Sequence, residues 1–267
     1  MRVRNPIARR LAFTALKSRW LRAPLTWWRE RGVTPADVVV ASYPRSGNTW
    51  VRFLLYDLLT GDEPQFRAVG HGVPEIGRHR DTEAAVLADG GRILKTHEPY
   101  RPAYRRAVYV VRDPRDVVVS EYWYQRWRNL YEGPLDAFVD RFLRGRVNTL
   151  VRWDRHVTGY LDASIDLHLV RYAALHEDGE RTLADLCRFL GLETTPAEHR
   201  RALERSAFER MRAKEDRMRR RSPTSRIGDR RMIRRGRAGG WREELDPADA
   251  ERIETAFGAT MNRVKLA

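Results

Sequence analysis

The stretch "VVVASYPRSGNTWVRFLL", residues 38–55, decides the fold of this chain. Its apolar, β-branched beginning belongs to a run over 36–42, which predicts a strand buried on both faces. Helical periodicity follows over 48–60 and predicts a helix. The short turn between the two, which holds Pro44 and Gly47, is therefore expected at the end of a buried strand, where a ligand can be bound.

This turn offers a cradle for a phosphate group. Backbone N–H groups are free at the N-terminus of a helix, where the dipole is positive. Ser46, Asn48 and Thr49 add side-chain donors, and Arg45 adds a cation. Ordinary capping of the helix by Ser46 or Asn48 explains the same residues, and the turn alone leaves both interpretations open. The chain has no Gly-Lys pair, so the phosphate loop of nucleotide triphosphatases is excluded and no metal site is predicted.

The rest of the chain alternates between strand and helix patterns. Further strands are predicted over 91–97, 106–113 and 165–172, and helices over 114–130, 134–144, 147–161, 180–190 and 246–263, the last with Asp246 as N-cap and Pro247 at its first position. Such alternation predicts a single α/β domain with a central, mostly parallel sheet flanked by helices. The segment 212–240 is basic and contains glycine, with little periodicity.

The chain is strongly basic, with 51 Lys and Arg residues against 36 Asp and Glu residues and a net charge of +15. A polyanionic partner would explain this charge. So would a bias of the genome toward arginine codons, since lysine occurs only at positions 17, 95, 214 and 265. Both explanations stay open.

Cysteine and apolar runs are scarce. Cys187 stands alone, which excludes an intrachain disulfide and a cysteine-based zinc site, and its pattern predicts a buried helix position. No apolar run approaches the ~18 residues of a membrane span. Lys17 and Arg19 interrupt the apolar patch near the N-terminus, which makes a poor signal peptide, so we expect a cytoplasmic protein.

Four blocks carry a resemblance to a known family. They are "YPRSGNTW" (43–50), "LKTH" (94–97), "VYVVRDPRDVVVS" (108–120) and "RRGRAGGW" (234–241). In this order they resemble the sulfotransferases that use 3′-phosphoadenosine-5′-phosphosulfate (PAPS) and release adenosine 3′,5′-bisphosphate (PAP). The resemblance implies a P-loop-like phosphosulfate-binding loop. The resemblance covers about 38–245 and implies a sulfotransferase domain over 34–267. The pattern of residues 1–33 predicts a basic helical extension before it.

The resemblance further implies which residues bind the cosubstrate. Weaker matches over 72–77, 153–157, 171–178 and 206–211 fill the gaps between the blocks. The implied binding residues are Arg45, Ser46, Gly47, Asn48, Thr49, Trp50, Arg112, Ser120, Tyr172, Ser206, Phe208, Met211, Arg234, Arg235 and Gly236. Arg112 and Ser120 match the site of the 3′-phosphate, although an ion pair of Arg112 with Asp113 or Asp116 is the alternative. Core packing is the alternative for the aromatic residues.

His97, Lys95 and Arg45 are the catalytic candidates. Transfer of a sulfuryl group to a hydroxyl or amine acceptor requires removal of the acceptor's proton, and a neutral imidazole suits this task near pH 7. Lys95 and Arg45 are expected to stabilise the negative charge that develops on the departing phosphate. Position 45 usually holds lysine in the cytosolic branch of the family. Arginine does not readily donate a proton, so Arg45 is expected to act electrostatically, and the source of a proton for the leaving group stays open.

The acceptor and the partners are less well defined by the sequence. A small molecule, a glycan or a lipid fits, with its pocket in the loops 62–82, 122–133 and 212–233. A P-loop-type small-molecule kinase is one alternative, and a protein that binds nucleic acid through its basic surface is another, although no nucleic acid is expected for the favoured function. The N-terminal segment has tryptophans among cations, and it is hypothesised to contact a membrane surface. Packing of this segment on the outside of the domain is the alternative. No oligomeric state is predicted.

Overall fold

The computed structural model describes residues 27–147, 151–220 and 233–266. Four strands form one sheet in the order β2-β1-β3-β4, where β1 is Val38–Ser42, β2 is Ile93–Thr96, β3 is Arg106–Val111 and β4 is Asp166–Arg171. Each neighbouring pair is parallel, and Val40 of β1 lies opposite Lys95 on one side and Val108 on the other. The predicted α/β fold with a parallel sheet is confirmed.

The helices cover both faces of this sheet. Their bounds are α1 Asn48–Thr60, α2 Phe66–Gly72, α3 Pro114–Trp127, α4 Leu135–Leu143, α5 Trp153–Leu161, α6 Tyr172–Glu177, α7 Gly179–Leu190, α8 Pro196–Arg205, α9 Phe208–Arg220 and α10 Pro247–Arg263. The predicted helix over 48–60 is confirmed at both ends. Asp246 caps α10 by accepting a hydrogen bond from the Ala248 N–H group.

Strand β1 is buried on both faces because two apolar clusters sandwich it. Val39 and Ala41 belong to the cluster that includes residues of α3, α4, α5 and α10. Val38 and Val40 belong to the cluster on the other face, which includes residues of α1 and α7. Side chains alternate along a strand, so an uninterrupted apolar run is what two buried faces require. Cys187 is buried, as predicted.

Four helices were not predicted: α2, α6, α8 and α9. The expectation of little regular structure in 212–240 is wrong for its first part, since α9 continues to Arg220. Charged residues dominate this helix, and its buried residues include Lys214 and Glu215. The Lys214 Nζ donates to the Arg205 carbonyl at 2.7 Å, and Glu215 accepts from the Ile233 N–H group at 3.0 Å. Polar contacts therefore hold α9, and they leave no apolar stripe in the sequence.

A buried ion pair joins α1 to α8. The Asp57 carboxylate has no solvent exposure and lies 2.9 Å from Arg201 Nε and 3.2 Å from Arg205 Nη1. Thr195 and Glu198 form a capping box at the start of α8, which fixes where that helix begins. The ion pair therefore holds α8, the helix before α9, against α1, the helix after the turn that follows β1.

Most of the predicted N-terminal extension lies outside the described residues, which begin at Trp27. Residues 27–30 are helical. Trp27 and Trp28 are 66% and 50% exposed, with Arg31 over the first ring and Arg80 over the second. Membrane contact through this segment stays a prediction. None of the helices in the described ranges is long and apolar enough to cross a membrane.

Candidate active site

The carboxyl ends of the strands meet around one cavity of about 610 Å³. Because the sheet is parallel, the turn after β1, His97 after β2, Arg112 after β3 and Tyr172 after β4 all lie at the same edge. This edge is where open α/β sheets bind their ligands. The four sequence blocks and the region of weak matches around Tyr172 are thus brought together by topology.

Every predicted site residue except Ser46 lines this cavity: Arg45, Gly47, Asn48, Thr49, Trp50, Lys95, His97, Arg112, Ser120, Tyr172, Ser206, Phe208, Met211, Arg234, Arg235 and Gly236. Ser46 is fully buried beneath the turn. The cavity wall also includes residues that the sequence did not single out. Arg52, Glu75, Glu98, Tyr124, Arg128 and His176 are the polar ones among them.

The turn after β1 presents backbone amides to the cavity. Gly47 is the N-cap of α1 with a φ of 100°, and no side chain caps this helix. Capping by Ser46 or Asn48 is therefore not the role of these residues. A Cβ atom at Gly47 would lie 2.5 Å from Cδ2 of Tyr172, so only glycine allows the turn and Tyr172 to approach this closely. Arg45 also has a positive φ, of 71°. Such strained backbone is typical of ligand-binding turns.

Asn48 ties the turn to the strand before it. Its Nδ2 donates to the Val40 carbonyl at 3.0 Å and lies 3.3 Å from Ser42 Oγ. The side chain is thereby directed into the protein and not toward a bound phosphate, while the backbone of Asn48 remains at the open helix N-terminus. The sequence suggested a side-chain donor here, and the structure gives it a supporting task instead.

Arg45 is a cation fixed from two sides. Its Nε donates to Ser120 Oγ at 3.2 Å, and its guanidinium lies 4.7 Å above the ring centroid of Tyr124. Burial lowers the pKa of Arg45, and the charge of Glu121 partly offsets this effect. A guanidinium held this way acts as a preorganised positive charge beside the turn.

Lys95 projects from β2 into the cavity and pairs with Glu75. The Nζ and Oε1 atoms are 3.3 Å apart. The backbone brings the two side chains together, because Lys95 N–H donates to the Pro74 carbonyl and Ile76 N–H donates to the Lys95 carbonyl. Burial lowers the pKa of Lys95, against the opposing charge of Glu75. Lys95 is thus a positioned ammonium group two residues before His97, and both side chains line the cavity wall.

His97 follows β2 with its ring recessed at the cavity wall. Its Nδ1 lies 2.9 Å from the Ser42 carbonyl, which can only accept, so Nδ1 carries the hydrogen. Nε2 then holds a lone pair and has no hydrogen-bond partner among the described residues. Burial lowers the pKa of His97 well below its usual range, and the nearby charge of Lys95 adds to this. The imidazole is neutral at pH 7 and ready to accept a proton.

The main chain at His97 is held by a buried pair of side chains. Tyr109 O–H donates to His156 Nδ1 at 2.8 Å, and His156 Nε2–H donates to the His97 carbonyl at 3.2 Å. His156 has no solvent exposure and does not line the cavity. The sequence gave no sign of this contact, which joins α5 to the end of β2. It orients the backbone from which the His97 ring extends.

Arg112 links three parts of the cavity wall. Its Nη1 donates to the Arg45 carbonyl at 3.3 Å and its Nη2 to the Arg237 carbonyl at 2.8 Å. The guanidinium lies 4.4 Å from the ring centroid of Tyr172. Nε is 3.6 Å from Asp116, so the ion pair weighed from the sequence is present with Asp116. Asp113 instead pairs with Arg115.

The described part of the loop after α9, residues 233–239, lines one side of the cavity through its first four residues. Asp116 accepts from the N–H groups of Gly239 and Trp241 at 2.8 and 3.0 Å, which anchors the loop to α3. Arg234 pairs with Glu244 at 2.6 Å, and Arg235 pairs with Glu243 at 2.7 Å. Both arginines therefore sit in fixed positions on the wall.

Aromatic side chains line the cavity beside this loop, and Trp50, Tyr172 and Phe208 are called the aromatic slot below. Trp50 packs against Tyr172 and His176 with ring centroids 5.6 and 4.7 Å apart. Gly236 lies so close under Phe208 that a Cβ atom there would collide with the ring. Ser206 Oγ is sealed from solvent without a partner in the described ranges, although it belongs to a residue of the wall. A slot with π-faces and an unpaired hydroxyl suits a nucleobase.

Glu121 is a fully buried carboxyl group on α3, next to Ser120. Gln125 donates to its Oε1 at 2.8 Å, while Oε2 has no partner among the described residues. Burial raises the pKa of Glu121 to about 7, and the Gln125 hydrogen bond and the Arg45 charge offset this only in part.

Replacing Glu121 by glutamine is expected to make stability less dependent on pH. The folded pKa lies above the unfolded one, so wild-type stability is lost as pH rises toward 7 and beyond. Between pH 5.5 and pH 8 the wild type should lose about 2 kcal/mol of unfolding free energy relative to Glu121→Gln. Urea unfolding at both pH values measures this, and curves that stay parallel for the two proteins would contradict it.

Comparison with known proteins identifies relatives of this chain. The model of the family described as "Sulfotransferase domain" matches residues 35–265. Sulfotransferase 2A2 of Mus musculus is 28% identical over 252 residues, which is 86% of this chain and 85% of the relative. Cytosolic sulfotransferase 1 of Danio rerio is 27% identical over 256 residues, with 87% and 85% covered.

Solved structures share the fold. A retinol dehydratase in a complex with retinol and PAP has a TM-score of 0.67 at 23% identity, with 85% of this chain and 82% of that chain covered. Mouse sulfotransferase SULT7A1 complexed with PAP has a TM-score of 0.68 at 19% identity, with 94% and 95% covered. The arrangement of sheet and helices around the cavity is therefore one that these proteins have in common.

Proposed function

The chain belongs to the sulfotransferase family, and we propose that it transfers a sulfuryl group from PAPS to a hydroxyl or amine acceptor with His97 as the general base. One observation carries the proposal: the imidazole of His97, the amides of the turn after β1 and the cations Lys95 and Arg45 all border a single cavity. A base, an anion cradle and fixed positive charge at one place are what this reaction requires.

The residues around the cavity fit PAPS. Gly47 allows the turn to approach the Tyr172 ring closely, and the backbone amides at the start of α1 suit the 5′-phosphosulfate. Arg112 and Ser120 would hold the 3′-phosphate, with Arg234 and Arg235 closing over it. The slot between Trp50 and Phe208 would take the adenine, where the unpaired Ser206 hydroxyl offers a hydrogen bond.

His97 acts on the acceptor in this proposal. Bound PAPS supplies the sulfuryl group and a phosphate leaving group. The Nε2 lone pair of His97 accepts the proton of the acceptor as the new S–O bond forms, and Nδ1–H keeps its bond to the Ser42 carbonyl throughout. The proton therefore ends on the imidazole, and the bond between sulfur and the bridging oxygen breaks with its electron pair on PAP. Burial of the ring favours its neutral form before the reaction.

Lys95 and Arg45 stabilise the departing phosphate. Cations that are fixed before the reaction bind the transition state better than the ground state, because negative charge grows on the bridging oxygen as sulfur departs. Arg45 is clamped by Ser120 and Tyr124, so it supplies charge and position but no proton. Lys95, whose pKa is lowered by burial, is the better proton donor of the two.

The proposal also includes the bounds of the catalytic unit, the class of acceptor and the location. The catalytic unit is residues 34–267, with 1–33 as an extension, and the acceptor is a small molecule, a glycan or a lipid. Tyr124 and Arg128 on the cavity wall come from the aromatic stretch in which the sequence suggested an acceptor pocket. A cytoplasmic location is expected.

Calorimetric titration with PAP tests the proposal, followed by a screen of acceptors with labelled PAPS. We expect PAP to bind at one site, adenosine 5′-phosphate to bind more weakly, and label to pass to an acceptor. Mg²⁺-dependent turnover of ATP without sulfate transfer would favour a kinase. A salt-sensitive complex with duplex or single-stranded nucleic acid that PAP does not compete for would favour the nucleic-acid alternative.

A further inference from the structure

Arg52 is a fixed cation on the cavity wall that the sequence did not single out. It lies on α1, one turn after Asn48. Its Nε donates to the Val73 carbonyl at 2.9 Å and its Nη2 to the Val69 carbonyl at 3.1 Å. Both carbonyls belong to the C-terminal end of α2, where a positive charge is favourable. Two of the three guanidinium nitrogens are therefore bound to backbone, which holds the group in one orientation.

The third nitrogen of this guanidinium is available to a ligand. Within the described ranges, Nη1 of Arg52 has no hydrogen-bond partner, and it is not sealed from solvent. Since Arg52 lines the cavity, the N–H groups of Nη1 are its accessible donors there. Orientation by α2 together with an unused donor edge describes a preorganised binding group.

No carboxylate of the described residues lies within 4.0 Å of Arg52. The two acids on this part of the wall are engaged elsewhere: Glu75 pairs with Lys95 at 3.3 Å and with Arg29 at 3.4 Å, and Glu98 lies 3.7 Å from Arg29. Burial lowers the pKa of Arg52 to about 10, so the group remains charged at neutral pH. The charge of Glu75 offsets the burial of Arg52 only in part, and an anionic ligand at Nη1 would offset more of it.

The nucleotide has cations of its own in the proposed function, which leaves the charge of Arg52 for the acceptor. In that proposal the phosphate groups of PAPS are bound by the turn amides and by Arg45 and Arg112. Arg52 instead shares its part of the cavity wall with Glu75 and Val69, and its guanidinium is bound to the end of α2. Its charge also contributes to the lowered pKa of His97, after the larger effects of burial, Lys95 and His156.

We propose that Arg52 binds an anionic group of the acceptor, so that the substrate of this enzyme carries a carboxylate, phosphate or sulfate near the hydroxyl or amine that is sulfated. The inference rests on the proposed function. An anion held by Nη1 places the reacting group of the acceptor beside His97 and offsets the buried charge. Neutral lipids, which lack such a group, would leave Arg52 unpaired.

Matched acceptors that differ only in charge test this inference. Each pair contains a carboxylate and the corresponding carboxamide, such as 4-hydroxyphenylacetate with its amide, 3-hydroxybenzoate with its amide and 4-hydroxybutyrate with its amide. For each pair in which sulfation is detected, we expect kcat/KM to be about tenfold to a hundredfold higher for the carboxylate than for the carboxamide. A charge-assisted hydrogen bond allows a difference of this size. In Arg52→Gln this preference should fall to within about threefold.

Arg67→Gln is the control, because Arg67 lies on α2 with an exposed side chain outside the cavity wall. It should keep the full preference. Thermal unfolding of Arg52→Gln reports separately on the contacts with α2. Loss of those contacts alone would lower the rates for both members of a pair by the same factor.

Three outcomes overturn the inference: equal rates within the pairs for the wild type, equal losses within the pairs for Arg52→Gln, or PAP binding without sulfation of any carboxylate. Failure of PAP to bind would instead overturn the proposed function. The two failures are therefore distinguishable, because PAP binding does not depend on which acceptor is used.

Discussion

Replacement of His97 by alanine is expected to lower kcat by about a thousandfold, which is within the usual contribution of a general base. Nδ1 is tied to the Ser42 carbonyl, and Nε2 is the only nitrogen of this ring left to take a proton. PAP affinity should change by less than about twofold, since the nucleotide is held by other residues. Steady-state rates with labelled PAPS, together with calorimetric titration of PAP, separate the two effects.

The exposed His71 provides the matched control. His71→Ala should retain full turnover and full PAP affinity, which shows that loss of a histidine on this side of the sheet is not harmful in itself. If His97→Ala kept more than about a tenth of wild-type turnover, another group would be the base. Equal losses of turnover and PAP affinity would instead point to a collapsed cavity.

The pH dependence should follow the direction of the His97 pKa. Burial depresses this pKa well below 6.5, so the imidazole is already neutral in the slightly acid range. The acid limb of kcat/KM, which reports the base in the free enzyme, is therefore expected below pH 6.5. Above that pH the base is not lost again, and any alkaline limb belongs to a different group, for which Lys95 with its lowered pKa is the candidate.

The part of the site that depends on local sequence could be predicted. A β-branched run, a turn with Pro and Gly and a helical pattern fix β1 and α1, and a parallel sheet then brings the residues after each strand to one edge. This is why His97, Arg112 and the turn were found together. The buried run of β1 is recognisable because both of its faces are covered.

The rest could not be predicted because it depends on contacts between distant segments. Arg52 is oriented by carbonyls of α2, a helix that the sequence did not reveal. His156 acts on the His97 main chain across 59 positions, and its burial gives no sequence signal. Helix α9 is held by Lys214 and Glu215, which look like surface residues in the sequence. Asn48 shows the reverse case, since its side chain turns inward from a ligand-binding turn.

Replacement of Arg112 by alanine is expected to weaken PAP binding by about a hundredfold, while binding of adenosine 5′-phosphate should weaken by less than about fivefold. In the proposed function both nucleotides use the aromatic slot and the turn after β1, but only PAP carries the 3′-phosphate that a guanidinium can bind through two hydrogen bonds. Calorimetric titration of both nucleotides into wild type and variant gives the two ratios.

The difference between the nucleotides is needed because Arg112 also has a structural task. Its hydrogen bonds to the Arg45 and Arg237 carbonyls join the turn after β1 to the described part of the loop after α9. Loss of these bonds alone would weaken the binding of both nucleotides by the same factor. Arg115→Ala is the control. Arg115 lies in the first turn of α3, where it pairs with Asp113 and stacks on Trp241, and it does not line the cavity. Arg115→Ala should weaken the binding of both nucleotides slightly and by the same factor. If Arg112→Ala behaved in the same way, Arg112 would be a structural link, and the 3′-phosphate would have to be held by Ser120 and the arginines of the loop.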